Sequence, residues 1–274
     1  MSTSTLQGKT VLISGGSRGI GLSIAKRLAE DGANVALLAK TAEPHPKLPG
    51  TVYSAADEIR AAGGRALPIV GDVREEADVQ AAVDAAVEEF GSIDIVINNA
   101  SAINLEPAET IEMKRYDLMH DINVRGTFLL TRTALPHLKK AADPRILSLS
   151  PPLNMSQKWL GAAPAYMMAK YSMSLATLGI GAQHDIPATC LWPKTTIQTA
   201  AVQYALGGSE MYDRSRTPEV YSDSAHAVLT AERGKYAGQT MLCEDVLEDT
   251  GVTDFGQYSP GIDPTELEKD IFVD

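Results

Sequence analysis

An alternation of short apolar runs with longer helical stretches restricts what this chain can fold into more than any other feature. The runs are Thr10–Ser14, Asn34–Ala39, Ala66–Val70, Ile93–Asn98, Arg145–Ser150, Ala188–Leu191 and Gln239–Leu242. Between them, helical spacing covers Ile20–Asp31, Tyr53–Ala62, Glu75–Phe90, Glu109–Lys140, Ala163–Gln183 and Pro218–Glu232. The apolar runs lack the polar alternation of a half-wet strand, as expected of strands buried on both faces. Strand and helix in succession predict an α/β Rossmann fold, a doubly wound parallel sheet of about seven strands with helices on both faces. Residues 1–274 read as a single domain with a core at 8–244, a proline-rich insertion at 41–51 and an acidic extension at 245–274.

Charge and cysteine usage narrow the partners. A net charge of −11 argues against nucleic acid or an anionic membrane as the main partner. No apolar stretch approaches the length of a membrane span. Cys190 and Cys243, each in a short apolar run, read as buried thiols of a reducing compartment. No zinc-like clustering of Cys or His occurs, so no metal is expected. The polar N-terminus lacks the apolar core of a signal peptide, and a cytoplasmic protein is expected.

The first turn carries the nucleotide signal. Ser14-Gly15-Gly16-Ser17-Arg18-Gly19-Ile20-Gly21 leaves the first strand and opens the first helix. Glycines there let the backbone approach a pyrophosphate, and the helix N-terminus supplies free N–H groups and the positive end of its dipole. Gly15, Ser17, Arg18, Gly19, Ile20 and Gly21 are therefore candidate cofactor residues. An NAD site usually ends its second strand on an acid that accepts from the ribose 2′-hydroxyl. Here that strand ends Leu38-Ala39-Lys40. Arg18 and Lys40 suit a 2′-phosphate, so NADP is preferred to NAD; the competing reading leaves both cations merely solvated. Asp72 and Val73 close the third strand, where Asp72 is placed to meet the adenine amino group.

Tyr166 and Lys170 stand four residues apart in a helical run and so share a face. A phenol titrates near ~10, and a lysine cation one turn away favours its ionised form, making it usable as an acid or base. The pair occurs by chance in many helices and gains meaning only from its company.

That company resembles the short-chain dehydrogenase/reductase family over roughly Gly8 to Glu244. The matching elements are Gly15-x-x-x-Gly19-x-Gly21, Asp72, Asn98-Asn99-Ala100-Ser101, Asn123 and the Tyr166/Lys170 pair, in the family's order. The chain is more specifically similar to the dehydrogenase domain of the hydroxysteroid dehydrogenase-like protein 2 group. Ala39–Leu48, Asn98–Ile103, Leu149–Asn154 and Leu191–Thr195 carry that likeness. Some members of that group add a sterol-carrier domain, which this sequence lacks. The resemblance implies hydride transfer between nicotinamide C4 and a carbonyl or alcohol carbon, with Tyr166 as acid/base. Lys170 would assist Tyr166 and bind the nicotinamide ribose, and Asn123 would hold a water linking Lys170 to solvent. Asn99, Ala100, Pro193, Ile197 and Thr199 would line the cofactor. It also implies a homodimer or homotetramer built on the helices of Asn123 and Tyr166.

One departure bears on chemistry. The family's serine past the fifth strand, which orients the tyrosine, falls on Pro151, with no side-chain donor. Three explanations stand open: Ser150 shifts into its place, Asn154 or Ser156 donates instead, or the reaction is slow or absent. Ser150 is preferred because it is one residue away. A substrate cover is expected from Thr199–Thr217, with Val202, Tyr204, Leu206, Met211 and Tyr212, against a wall of Met155, Trp159 and Leu160. Such a pocket suits an apolar carbonyl or alcohol compound, unless these residues pack core or subunit contacts instead.

Overall fold

A computed structural model describes residues 5–44 and 49–274. Residues His45–Leu48, part of the expected proline-rich insertion, lie outside the described residues, as do the first four. The strands are β1 (Thr10–Ser14), β2 (Asn34–Ala39), β3 (Arg65–Val70), β4 (Ile95–Asn98), β5 (Arg145–Leu149), β6 (Ala188–Trp192) and β7 (Gln239–Leu242). They form one parallel seven-stranded sheet in the order β3-β2-β1-β4-β5-β6-β7. The order reverses between β1 and β4, so a crevice opens at their carboxyl ends, where α/β folds bind ligands. Strands β1, β2, β4, β5 and β6 are buried throughout, matching their unbroken apolar sequences. Pro68 falls in β3, an edge strand, where a missing N–H costs no ladder bond.

One face carries α1 (Gly19–Glu30) and α2 (Val52–Ala61) with a later helix; the other carries α3 (Glu76–Phe90) and the helices that follow it. The predicted helix Glu109–Lys140 begins later and is not uniform. It comprises α4 (Met113–Met119), a π-helical turn at His120–Gly126 and α5 (Thr127–Leu138). Its start is delayed because the Pro107 carbonyl accepts from the amides of Thr110 and Ile111 in a turn. The π-helical turn contains Asn123, and such bulges concentrate at functional positions.

A short helix α6 (Gln157–Ala162) precedes α7 (Pro164–His184), which carries Tyr166 and Lys170 on its buried face. The expected cover contains two short helices, α8 (Ala200–Ala205) and α9 (Gly208–Asp213), followed by α10 (Glu219–Thr230) against α1. After β7, α11 (Cys243–Asp249) begins inside the predicted core and leads into the extension. Both cysteines are buried free thiols.

The extension returns across the molecule. The Thr196 amide donates to the Glu268 carbonyl at 2.9 Å, the Asp270 amide to the Lys194 carbonyl at 3.0 Å, and Thr195 bridges Lys269 antiparallel. Residues 268–274 thus form a strap beside the loop after β6. Phe272 seats it, packing with Trp159, Tyr166, Tyr171 and Trp192 in a third apolar cluster. Its φ of 69° is left-handed, a conformation costly for a side chain and held only where surroundings enforce it.

Candidate active site

Two adjoining cavities occupy the carboxyl ends of the central strands. The first, about 610 Å³, is lined by the loop Gly15–Gly21, Lys40, Asp72, Val73, Asn99 and Ala100, among others. The glycine loop is shaped by close approach. A Cβ on Gly15 would meet Ala100 Cα at 2.8 Å, and one on Gly21 would meet the Asn99 amide nitrogen at 2.4 Å. Asn99 is the clamp: its Nδ2 donates to the carbonyls of Ser14 and Gly15, each at 2.9 Å. The first turn of α1 has no side-chain cap, leaving its amides directed at the cavity mouth. Unpaired helix-terminal amides over a glycine cradle fit a dinucleotide pyrophosphate.

The charged groups at the far end of this cavity are partly engaged. Arg18 donates to the carbonyls of Pro49 (3.0 Å) and Gly50 (2.8 Å), which ties the visible end of the insertion to the glycine loop. Asp72 holds Arg74 in a forked ion pair with a 2.7 Å contact and lies 3.5 Å from Lys40. The Arg74 hydrogen bonds hold the Asp72 carboxyl down at about 2. Two cations, Lys40 and Arg74, therefore face the Asp72 carboxylate, while Arg18 lines the same cavity from the glycine loop.

The second cavity, about 520 Å³, contains Tyr166 and Lys170. Ile103, Leu105, Trp192, Ile197, Val202, Leu206 and Met211 give it an apolar lining, and Pro193 and Thr199 complete the side toward the cofactor crevice. Val202, Leu206 and Met211 of the expected cover face it; Tyr204 instead lines the first cavity. The anticipated wall of Met155, Trp159 and Leu160 is absent from the lining. Met155 is exposed, Trp159 packs on Phe272, and the strap residues Glu268–Ile271 take that side. No periodic pattern marks the strap; the one clue in sequence is the apolar triplet Ile271-Phe272-Val273 in an acidic tail.

Tyr166 and Lys170 are both buried, at 4% and 2% exposure. Lys170 donates to the Leu149 carbonyl at 2.6 Å and lies 5.0 Å above the Trp192 ring. Burial pushes Lys170 down to about 7. Burial also pushes Tyr166 upward, reinforced by the Asp270 carboxylate, opposite to the direction expected from the pair alone. Asp270 is half-buried and lines the cavity, where desolvation pushes its carboxyl up to about 7. Burial of Tyr166 and this neighbouring carboxylate both favour the neutral phenol.

The remaining expected groups fall elsewhere. The Ser150 hydroxyl is wholly buried, has no hydrogen-bond partner and does not line the cavity; it lies beside Cys190. β5 has ended at Leu149, and the Ser150 amide turns back to the Ser148 carbonyl at 3.0 Å, which keeps this residue inside the protein. Asn154 is engaged with the strap, donating to the Asp274 carboxylate at 2.8 Å, and its Oδ1 accepts from the Ser156 amide. Asn123 engages its side-chain amide with Ala102, accepting from its N–H at 2.8 Å and donating to its carbonyl at 2.9 Å. Ser101, at the end of the Asn98–Ser101 turn, lines the same cavity as Tyr166 and lies close enough to the phenol to favour its ionised form. The sequence marks that turn as part of the family likeness, with Asn99 and Ala100 beside the cofactor, and assigns Ser101 itself no role.

Known proteins match this arrangement. A short chain dehydrogenase family profile covers residues 9–193. Hydroxysteroid dehydrogenase-like protein 2 of Danio rerio is 49% identical over 276 residues, spanning 100% of this chain and 66% of that protein. The chain thus spans about two thirds of the length of that relative. A short chain dehydrogenase from Mycobacterium thermoresistibile superposes with a TM-score of 0.92 at 56% identity, covering 98% of this chain and 96% of that one. An NADH-dependent reductase A1-R′ complexed with NAD gives a TM-score of 0.69 at 25% identity, covering 86% of this chain and 95% of that one.

Proposed function

The chain belongs to the short-chain dehydrogenase/reductase family, and we propose that it is an NADP-dependent oxidoreductase interconverting an apolar carbonyl compound and its alcohol. The carrying observation is the apolar cavity that presents Tyr166 and Lys170 beside a glycine-loop crevice. A bound nicotinamide cofactor would supply or accept the hydride. In reduction, Tyr166 gives its proton to the oxygen as the carbonyl π pair moves there; in oxidation it removes the alcohol proton. Lys170, anchored to β5 through Leu149, supports the tyrosine from one turn away and offers donors toward the ribose. Gly15, Ser17, Gly19, Ile20, Gly21, Val73, Asn99, Ala100, Pro193, Ile197 and Thr199 form the walls that hold the cofactor.

The preference for NADP rests on Lys40, not an acid, following β2 and on Arg18 and Lys40 both lining the cofactor cavity. A carboxylate in Lys40's place would accept from the 2′-hydroxyl of NAD; the cations suit a 2′-phosphate. NADPH oxidation with a panel of apolar ketones and aldehydes tests the reading. Turnover that depends on Tyr166 is expected, and turnover indifferent to Tyr166→Phe sinks it.

A second reading, a nucleotide-binding protein with little catalysis, is favoured by Pro151 and by the strap covering Tyr166. Tight NADPH binding without turnover on the whole panel would select it. Exposed Phe128, Met168 and Leu175 on α5 and α7 support a dimer along those helices; sedimentation as a monomer at micromolar concentration would remove that assignment. Buried free thiols and the absence, among described residues, of a helix able to cross a membrane suit the cytoplasm; fractionation with an organelle would exclude it.

A further inference from the structure

We infer that Ser101 is the hydroxyl donor that replaces the serine lost at Pro151, sharing the substrate oxygen with Tyr166. This rests on the oxidoreductase reading above. The geometry first removes the other candidates. Pro151 contributes no donor, and its carbonyl is taken by the Ser174 hydroxyl at 2.8 Å. Ser150 points away from the cavity toward Cys190. Asn154 is held by Asp274 of the strap, and neither Asn154 nor Ser156 lines the cavity.

Ser101 is differently placed. Five residues line both cavities: Ile20, Asn99, Ser101, Thr199 and Ala201. Hydride transfer must occur where the cofactor and substrate spaces meet, so a second donor beside Tyr166 is sought among these five. Ile20 and Ala201 carry no donor. Both Asn99 amide hydrogens go to the glycine loop, and the Thr199 oxygen, whose proton stays free, is fixed at the head of α8 by accepting from the Val202 amide at 3.3 Å. Ser101 lines the second cavity together with Tyr166, close enough to favour the phenolate, and reaches into the cofactor cavity as well.

The backbone beneath Ser101 is fixed on both sides. The Ala100 amide donates to the Ser14 hydroxyl at 3.1 Å, and Asn123 holds both the N–H and the carbonyl of Ala102. Asn123 is thereby a positioning residue: the buried π-helical turn that carries it sets the height of Ser101 over the cavity. A donor held by rigid neighbours needs no reorganisation as charge develops on the substrate oxygen. In the reductive step the carbonyl π pair moves to oxygen, the Tyr166 proton follows, and the Ser101 hydrogen bond steadies the oxygen without transferring its own proton.

The test uses the full-length protein with NADPH, a panel of neutral apolar ketones and the corresponding alcohols with NADP. Ser101→Ala should lower kcat by about 10²–10³-fold, the cost of losing one oxyanion donor, with NADPH affinity retained. Ser101→Thr, which keeps the hydroxyl, should recover most of the loss. Because the serine hydroxyl favours the phenolate, the limb along which alcohol oxidation rises with pH should move to higher pH in Ser101→Ala. A merely structural serine would not move that limb. Tyr166-dependent turnover with kcat and pH profile unchanged in Ser101→Ala overturns the inference while leaving the oxidoreductase reading standing. Turnover independent of Tyr166, or none with any substrate, defeats both together.

Discussion

Replacing Phe272 by alanine should release the strap while leaving the sheet intact. Phe272 is 2% exposed, and its ring lies 5.2 Å from Tyr171, 5.9 Å from Trp159 and 6.2 Å from both Tyr166 and Trp192. Truncating a phenylalanine buried to this degree costs about 3–5 kcal/mol, the transfer term plus the cavity left behind. The left-handed backbone offers no relief, because alanine is strained there as well. What remains to hold the strap is a few hydrogen bonds, each contributing about 1 kcal/mol net. A loss of ~3 kcal/mol shifts the docked-to-released ratio by about a hundredfold. The protein reports this itself, since it has two tryptophans and both donate to the strap. Trp192 Nε1 bonds the Ile271 carbonyl and Trp159 Nε1 the Asp274 carboxylate, each at 2.9 Å. Emission should shift to the red and trypsin should cut after Lys269 in Phe272→Ala, with far-UV dichroism unchanged. Native emission together with full protease resistance in the variant would refute the packing argument.

Three other outcomes follow from the same geometry. Arg18→Ala and Lys40→Ala should each weaken NADPH binding much more than NADH binding by calorimetry; equal losses would remove the 2′-phosphate assignment. Strap docking should weaken as pH rises. Asp270 carries a carboxyl raised to about 7 when docked, so its contribution is full below the ordinary carboxylate range near ~4 and is lost as pH climbs through about 7. Lys170, lowered to about 7 from 10.5, contributes in the opposite sense, but its change lies above that window. Tyr166, Tyr221, Cys243 and Glu244 also face Asp270, and none of them has a cause that reverses the sign. Tryptophan emission should therefore change between those pH values in the native chain and stay flat in Asp270→Asn; a matching titration in the variant would exclude Asp270. Asn123→Ala should lower kcat more than it weakens NADPH binding, because it loosens the Ser101 turn; an effect on binding alone would separate Asn123 from that turn.

The sheet was legible because a strand buried on both faces must be apolar at every position, and the glycine loop because only a residue without Cβ fits against Asn99 and Ala100. Tyr166 and Lys170 were legible because helical spacing alone puts them on one face. Ser101 was not, since its relation to Tyr166 arises where the end of β4 meets the start of α7, and no local period encodes that meeting. Ser150 misled for a related reason: proximity along the chain says nothing about which way a side chain points past the end of β5. The sequence leaves open whether the extension crosses to a neighbour or folds back on its own subunit, because one apolar triplet in an acidic tail has no periodicity and its destination depends on four rings scattered over α6, α7 and β6.

Tyr166 as the acid/base of hydride transfer is tested most directly by following NADPH consumption in parallel for the native protein and Tyr166→Phe. Each is supplied with the same apolar ketones and aldehydes. The phenol's removal should cost at least ~10²-fold in kcat, the usual range for losing a general acid, with NADPH still bound at native affinity. Equal rates for the two proteins would contradict that role.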